Sequence, residues 1–446
     1  MDAIERVTIG KVMKRLVPFL CFCYFIAYLD RVNVGFAALQ MNAALGLDAG
    51  MFGFGAGLFF IAYFLLEVPS NIALEKFGAR KWIARIMITW GVISAAFAFI
   101  PHISRATGIS VEYTFYLLRF LLGMAEAGFF PGVIFYITLW FPSVYRARIV
   151  SLFMLAIPFS SIVGAPLSGA LLNVVGAGLD GWQWLFILEG VPACLVALVV
   201  LVFLTDRPSQ ATWLKTEERS WLETRLAEER RHKERSAGHF SFLRSISDPR
   251  ILALALVYFC LNAGSYGVSY FLPTIVKGFG LSNFMTGVVS AVPFVFGAFG
   301  MVLLSRHSDK TMERRGHVAV ALTMAAVGIG LSGFVDDPVL KMALLCFAQI
   351  GVSAVPPMFW PIPSSFMTGA SAAAGIATIN SLGNLSGFGG PFLMGWLKNT
   401  TGSFTPGLVS LAIAAAIGAA AAMLLRVNPT LEQAPQMTKA SAASPS

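Results

Sequence analysis

The feature that most constrains this chain is a succession of apolar runs, each long enough to cross a lipid bilayer. A helix needs about 20 apolar residues to span the hydrocarbon core. The 446-residue chain is 57% hydrophobic and only 12% charged, and a soluble protein has too little interior to bury such an excess. The runs therefore predict a membrane protein and exclude a water-soluble enzyme.

The apolar runs predict an all-α membrane protein with 12 transmembrane helices in two six-helix halves. The predicted spans lie near residues 16–38, 52–74, 82–101, 114–137, 149–174, 184–205, 250–276, 284–304, 318–335, 339–362, 373–397 and 406–425. This gives an N-terminal six-helix half (1–205), a cytoplasmic central loop (206–249), a C-terminal six-helix half (250–427) and a disordered cytoplasmic tail (428–446).

Basic residues are distributed unevenly between alternate loops. If the N-terminus is cytoplasmic, the outer segments hold only Arg105, Lys277, Lys341 and Lys398 of the 32 Lys and Arg residues. The positive-inside rule then predicts that both termini are cytoplasmic, in a multi-pass protein of the cell inner membrane. The same rule accounts for the net charge of +9, so no nucleic-acid partner is expected.

Within the central loop, Trp213, Leu214, Trp221, Leu222 and Leu226 recur at partly helical spacing. Acidic residues follow Thr216, as is common in the first turn of a helix. We therefore expect a short amphipathic helix on the cytoplasmic membrane surface.

Ionisable residues interrupt the apolar spans at six positions. They are Asp30, Arg31, Glu67, Arg119, Glu126 and Glu189. Each costs about 2.5–3.5 kcal/mol near the centre of a membrane helix, so these side chains must pair inside the bundle or face a water-filled cavity. A salt bridge that only holds the helices together is the alternative to a transport role. We favour that structural interpretation for Glu67 and Glu189.

Helical spacing places some of these groups relative to one another. Arg119 and Glu126 are seven residues apart and share a helix face, and Pro131 predicts a bend farther along the same span. Asp30 and Asn33 also share a face, whereas Arg31 points about 100° away.

The second half supplies polar and aromatic groups. Asn262, Tyr266 and Tyr270 fall on one face of the seventh span, which is typical either of a cavity lining or of plain packing. The prolines within 358–363 predict a broken helix or flexible gate at the end of the tenth span.

Three segments resemble the anion:cation symporter family of the major facilitator superfamily. They are Leu29-Asp30-Arg31-Val32-Asn33, the run from Arg119 to Gly132, and Asn380-x2-Gly383-Asn384. The similarity is closest to the bacterial branch that includes tartrate, phthalate and hydroxyphenylacetate permeases.

The resemblance implies roles for individual residues. Asp30 and Glu126 would couple transport to protons, and Arg31 and Arg119 would bind the substrate carboxylate. It also implies further cavity contacts at Tyr28, Tyr63, Trp360, Asn380 and Asn384.

The chemistry of these side chains is consistent with that assignment. Arginine stays charged and offers a planar fork that matches a carboxylate, whereas a carboxyl group can be neutralised when it is desolvated. We therefore expect a monomeric, proton-coupled importer of small organic anions that works by alternating access and needs no cofactor or metal. A tartrate-like dicarboxylate is the favoured substrate. An aromatic carboxylate, a sugar acid, or anion exchange without net proton movement remain open.

Overall fold

The structure is a computed structural model that describes residues 3–236, 248–366 and 369–425. Over these residues the secondary structure is helical, apart from an isolated bridge between Gly176 and Leu179. The predicted all-α class is confirmed. The predicted tail (428–446) and part of the central loop (237–247) lie outside the described residues.

The α-helices follow one another with short connections. They are α1 (Ala3–Leu45), α2 (Ala49–Phe77), α3 (Ala79–Ala96), α4 (Ile100–Thr107), α5 (Val111–Glu126), α6 (Phe129–Trp140), α7 (Ser143–Met154), α8 (Ala156–Leu171), α9 (Gly181–Phe203), α10 (Thr216–Ser236), α11 (Pro249–Lys277), α12 (Asn283–Thr311), α13 (Arg315–Ser332), α14 (Pro338–Phe359), α15 (Pro361–Phe366), α16 (Gly369–Asn384), α17 (Ser386–Thr401) and α18 (Thr405–Leu424).

Among the described residues, 11 helical segments are long and apolar enough to cross a membrane. The remaining predicted span, 373–397, is covered by α16 and α17, which are 16 residues each and are separated at Leu385. The cytoplasmic location of the termini stays a prediction.

The described chain forms two compact units. Unit 1 contains the described residues of Met1–Ser236 and Ser269–Ala291, and unit 2 contains those of Ala237–Val268 and Val292–Ser446. In unit 1, α3 packs on α9, α2 on α5, and α1 on α8 and α9. In unit 2, α13 packs against α14 and α18 around a buried apolar core.

Glycine allows the closest of these helix contacts. A Cβ atom at Gly123 on α5 would overlap the backbone carbonyl of Phe59 on α2, and one at Gly55 on α2 would overlap the ring of Phe115. Small residues of this kind let membrane helices approach until their backbones touch. The α2–α5 contact is therefore close enough for a side chain of one helix to reach the backbone of the other.

The helix break in the fourth predicted span lies earlier than expected. The α5 helix ends at Glu126, and Gly128 has a φ of +88°, which favours glycine. Pro131 lies in the first turn of α6, where its missing N–H would be unbonded in any case. The prediction of a bend at Pro131 was wrong, because the glycine two residues after Glu126 turns the chain.

The predicted helix of the central loop is present as α10, which begins after Trp213 and Leu214 and extends to Ser236. Its place on the membrane surface stays a prediction. It packs against α1 and α6, where Glu218 pairs with Lys11 and Trp213 stacks on Trp140. Burial alone would raise the pKa of Glu218, but hydrogen bonds from Lys11 and from the Lys215 N–H lower that pKa below its ordinary value. This segment is therefore docked on the helices of unit 1.

We predict that Gly123→Ala lowers the stability of the protein in detergent by about 1–3 kcal/mol, because the added methyl group must displace the α2 backbone. Thermal unfolding of the purified variant measures this loss. The matched control is Gly10→Ala, since a Cβ there meets no atom within 4 Å. Equal melting temperatures for the two variants would contradict the close α2–α5 contact.

Candidate functional site

An ion pair joins α1 to the end of α5 inside unit 1. Nη2 of Arg31 donates to Oε1 of Glu126, and the two side chains are 12% and 4% exposed. The break between α5 and α6 places Glu126 at a helix end rather than in the middle of a continuous helix. Two groups that the sequence singled out separately are therefore in direct contact.

Arg119, which is also buried, is bound differently. Its Nη2 donates to the carbonyl of Ala56 at 3.0 Å, and its Nε donates to the carbonyl of Gly55 at 3.4 Å. Over the described part of the chain, no carboxylate oxygen lies within 4.0 Å of this guanidinium group. The guanidinium group of Arg119 is thus contacted directly by neutral carbonyl groups.

The ring of Phe59 lies close to both arginines. The guanidinium carbon is 5.4 Å from the ring centroid for Arg31 and 5.2 Å for Arg119. Tyr63 lies 5.5 Å from Arg31, and Tyr270 lies 5.9 Å from Arg119. The negative faces of aromatic rings attract cations, so these rings help to hold two positive charges in an apolar interior.

Asp30 occupies a separate polar environment beside the ion pair. Its Oδ1 accepts from the Asn33 amide at 3.0 Å and from the Ser94 hydroxyl. The predicted common face of Asp30 and Asn33 is confirmed, and the two neighbours in sequence, Asp30 and Arg31, have different partners. Asp30 is hydrogen-bonded by neutral donors and is 2% exposed.

The remaining buried acids of unit 1 are Glu67 and Glu189. Oε1 of Glu189 accepts from the Ser168 hydroxyl at 2.8 Å, and the side chain is 4% exposed. No Lys or Arg within 4.0 Å pairs with Glu189 over the described residues. The structural pairing that we favoured for Glu189 is therefore with a neutral hydroxyl rather than with a cation.

The aromatic residues implied by the resemblance are placed unequally. Tyr63 lies beside Arg31, as described above. Tyr28 packs edge-to-face on Tyr24, with ring centroids 6.3 Å apart. A role for either residue in binding substrate stays a prediction.

Unit 2 holds the three other predicted contacts. Trp360 occupies the break between α14 and α15, which confirms the predicted broken helix. Asn380 and Asn384 lie one turn apart at the end of α16. Tyr258 of α11 contacts Trp360 with a centroid distance of 5.0 Å, and a Cβ at Gly383 would overlap the Tyr258 ring. Tyr258 therefore connects the elements that carry these residues.

The sequence did not predict several of these contact residues. Tyr258 lies one turn before Asn262 and so continues the predicted stripe on the seventh span, a signal that could have been read. Phe59, Ser94 and Ser168 gave no such signal, because phenylalanine and serine are common in membrane helices and only packing selects which of them touch a charge.

A cavity of about 790 Å³ in unit 1 lies away from these residues. Its walls come from α2, α6, α7 and α10, and they include Arg146 and Glu229, which pair at 3.1 Å. None of the predicted site residues lines it. Since Arg146 of α7 pairs with Glu229 of α10 in its wall, the cavity is better explained by the docking of α10 than by substrate binding.

The chemistry available in unit 1 is anion binding and proton binding. Two guanidinium groups offer positive charge, and carboxyl groups beside them can be neutralised by protons. Among the described residues, no group of three or more His, Cys, Asp or Glu side chains could hold a metal ion.

Comparison with known proteins identifies relatives of the whole chain. The sequence profile of the Major Facilitator Superfamily matches residues 20–391. A protein of Agrobacterium vitis named "Putative tartrate transporter" is 48% identical over 92% of this chain and 89% of its own length. A "Quinolone resistance transporter" of Acinetobacter baumannii is 43% identical over 93% of this chain and 94% of its own length.

A solved structure has the same fold. The crystal structure of a D-xylose-proton symporter superposes with a TM-score of 0.69 and covers 97% of this chain and 99% of its own. Its sequence is 17% identical, so this likeness concerns the fold alone.

We predict that breaking the Arg31–Glu126 pair from one side destabilises the protein more than removing both charges. Arg31→Met leaves a buried carboxylate without its cation, a loss of about 3–5 kcal/mol, whereas Arg31→Met combined with Glu126→Leu restores an uncharged interior. Thermal unfolding of the single and the double variant in detergent, at neutral and at acidic pH, measures the two losses of stability. The single variant should recover at acidic pH, where Glu126 can take a proton. Additive losses that do not depend on pH would contradict the pairing.

Proposed function

The chain belongs to the Major Facilitator Superfamily, and we propose that it imports small organic anions together with protons. Its relatives are named transporters, so it is a multi-pass inner-membrane transporter of a small molecule rather than an enzyme. The proposal adds the substrate class, the coupling ion, a monomeric transport unit and the residues that act on each.

The observation that carries the proposal is the buried Arg31–Glu126 ion pair. Arginine stays protonated inside the membrane, whereas a carboxylate can be neutralised by a proton. When Glu126 takes a proton, Arg31 loses its counter-charge and needs another anion. A substrate carboxylate supplies it, so that proton binding and anion binding favour each other.

Arg119 supports a substrate with more than one negative charge. Its guanidinium group is bound by backbone carbonyls and lacks a carboxylate partner within 4.0 Å among the described residues. The Phe59 ring lies against both arginines, so the two cations belong to one region of unit 1. A dicarboxylate that reaches both would compensate both charges.

The proposed transport cycle uses these pairs in turn. Asp30 and Glu126 take protons from outside, and the substrate carboxylate occupies the arginines. The two halves then rock to open the site inward. The substrate and the protons leave, after which Glu126 pairs with Arg31 again for the return step.

Tartrate is the favoured substrate, because a relative with 48% identity carries that name. The aromatic rings beside Arg31 and Arg119 favour a second candidate, an aromatic carboxylate or a sugar acid. Anion exchange without net proton movement is the alternative to symport.

We predict that Glu126→Gln and Asp30→Asn each abolish uphill uptake of L-tartrate into proteoliposomes under an inward proton gradient. One pH unit is worth about 1.4 kcal/mol, or about tenfold accumulation, for each proton that is coupled. Exchange of labelled for unlabelled tartrate at equal pH should continue, because it needs no net proton movement. Glu112→Gln, which removes a carboxyl group from the first turn of α5, is the control. Undiminished accumulation in the first two variants would leave exchange as the better proposal.

Arg119 should distinguish the substrate classes. Arg119→Gln removes a charge-assisted contact of about 1.5–3 kcal/mol, which corresponds to a tenfold or larger rise in KM for a dicarboxylate. The rise should be smaller for a monocarboxylate, and Arg119→Lys should retain part of the affinity because it keeps the charge. Competition among tartrate, phthalate, hydroxyphenylacetate and an aldonate gives the measurement. Equal KM changes for mono- and dicarboxylates would contradict the role of Arg119 as a second anion contact.

A further inference from the structure

A second group of buried polar side chains lies where α1, α3, α8 and α9 meet in unit 1. Its members share near-complete burial and are Asp30, Asn33, Ser94, Ser168 and Glu189. We call this group the acid pair cluster. It contains two carboxyl groups and three neutral polar side chains, and neither the resemblance nor the proposed cycle uses Glu189.

Each of the two acids is hydrogen-bonded by neutral side chains. Asn33 donates to Oδ1 of Asp30 at 3.0 Å. Ser94 donates to Asp30, and Ser168 donates to Oε1 of Glu189 at 2.8 Å. A Cβ at Gly190 would lie 3.1 Å from the Cβ of Ser94, so the serine that donates to Asp30 packs against the residue next to Glu189.

Close helix packing builds this network. A Cβ at Gly91 on α3 would lie 2.6 Å from the carbonyl of Gly190 on α9, and a Cβ at Gly190 would lie 2.8 Å from the carbonyl of Gly91. Because Ser94 follows Gly91 by one turn and Glu189 precedes Gly190, this contact brings α3 and α9 together at the cluster.

Oε2 of Glu189 is the exception in an otherwise satisfied network. It is buried and has no hydrogen-bond partner among the described residues. A buried carboxylate oxygen without a donor is costly. A proton on the carboxyl group removes the charge, so this arrangement suits an acid that is protonated for part of its working cycle.

The charged surroundings lead to the same conclusion. Asp30 on α1 is the ionisable group that faces Glu189. The helices α3 and α8 contribute Ser94 and Ser168, and α9 itself contributes the nearby thiol of Cys194. The charges of Glu126 and Arg119 also act electrostatically on Asp30. No Lys or Arg within 4.0 Å pairs with either acid of the cluster in the described ranges.

We propose that Asp30 and Glu189 form a carboxyl pair that holds one proton between them, and that Glu189 thereby sets the pH at which Asp30 releases its proton. Two like charges in a low-dielectric site cannot both ionise cheaply, which is why paired carboxyl groups share a proton. The O–H bond forms with a proton from outside and breaks when that proton leaves inward. This inference rests on the proposed proton coupling at Asp30.

The pair differs from Arg31–Glu126 in its counter-charge. Glu126 in its ionised form is compensated by a cation, so substrate binding competes with it directly. The Asp30–Glu189 pair has no such cation and exchanges only a proton. Glu189 is thus a positioning residue that acts through Asp30.

Infrared difference spectroscopy of the purified protein in lipid tests the pair without any substrate. The carbonyl band of a protonated carboxyl group, followed from acidic to alkaline pH, should lose intensity in Glu189→Gln. The remaining Asp30 should deprotonate at lower pH, because the neighbouring carboxyl is gone. Glu189→Asp, which keeps an acid, should retain the band.

Ser168→Ala supplies a change of opposite sign in a protein that keeps both acids. Removing the hydroxyl that stabilises ionised Glu189 should shift the deprotonation to higher pH. Ser160→Ala is the matched control, because Ser160 is a buried serine of the same helix whose hydroxyl bonds to the carbonyl of Ala156. It should leave the spectrum unchanged.

Uptake of L-tartrate driven by a proton gradient provides the second measurement. The pH of half-maximal uptake should fall in Glu189→Gln, rise in Ser168→Ala and stay constant in Ser160→Ala. Unchanged band titrations and unchanged uptake profiles in the first two variants would overturn the inference. Shifted band titrations in a protein that shows no proton-driven uptake would support the carboxyl pair and count against the proposed function alone.

Discussion

Charge buried in hydrocarbon has to be compensated, and the Arg31–Glu126 ion pair is the contact on which the interior of unit 1 depends. These residues are 95 positions apart in the sequence, yet both side chains are almost fully shielded from solvent. An arginine cannot discard its proton at such a site. The anion that accompanies it can be exchanged, however, and this asymmetry is what makes a stabilising contact suitable for transport.

Helix packing and helix breaks place the charges. Glycine at Gly123 and Gly55 brings α5 against α2 closely enough for Arg119 to reach the carbonyls of Gly55 and Ala56. Gly128 ends the continuous helix just after Glu126, so that this carboxyl lies at a helix terminus. The features that allow dense packing are thus the same ones that position the ionisable groups, as is expected where irregular backbone occurs at membrane depth.

The acids of unit 1 fall into two kinds. Glu126 has a permanent cation as its partner, whereas Asp30 is hydrogen-bonded by Asn33 and Ser94, and Glu189 by Ser168. An acid of the first kind responds to both protons and anions, and an acid of the second kind responds mainly to protons. In the proposed function the two kinds of acid couple protons and anions through Arg31 and Asp30, which are adjacent in the sequence but have different partners.

The sequence by itself determined the membrane class, the approximate spans, the buried ionisable positions and the shared face of Asp30 and Asn33, because apolar length and helical periodicity are local properties of the chain. It could not determine that Arg31 rather than Arg119 pairs with Glu126, that Ser94 and Ser168 are the donors to the acids, or that the chain turns at Gly128 instead of Pro131. Periodicity fixes the direction of a side chain around its own helix only. Which helix stands opposite, and how closely, is decided by the packing of the assembled bundle.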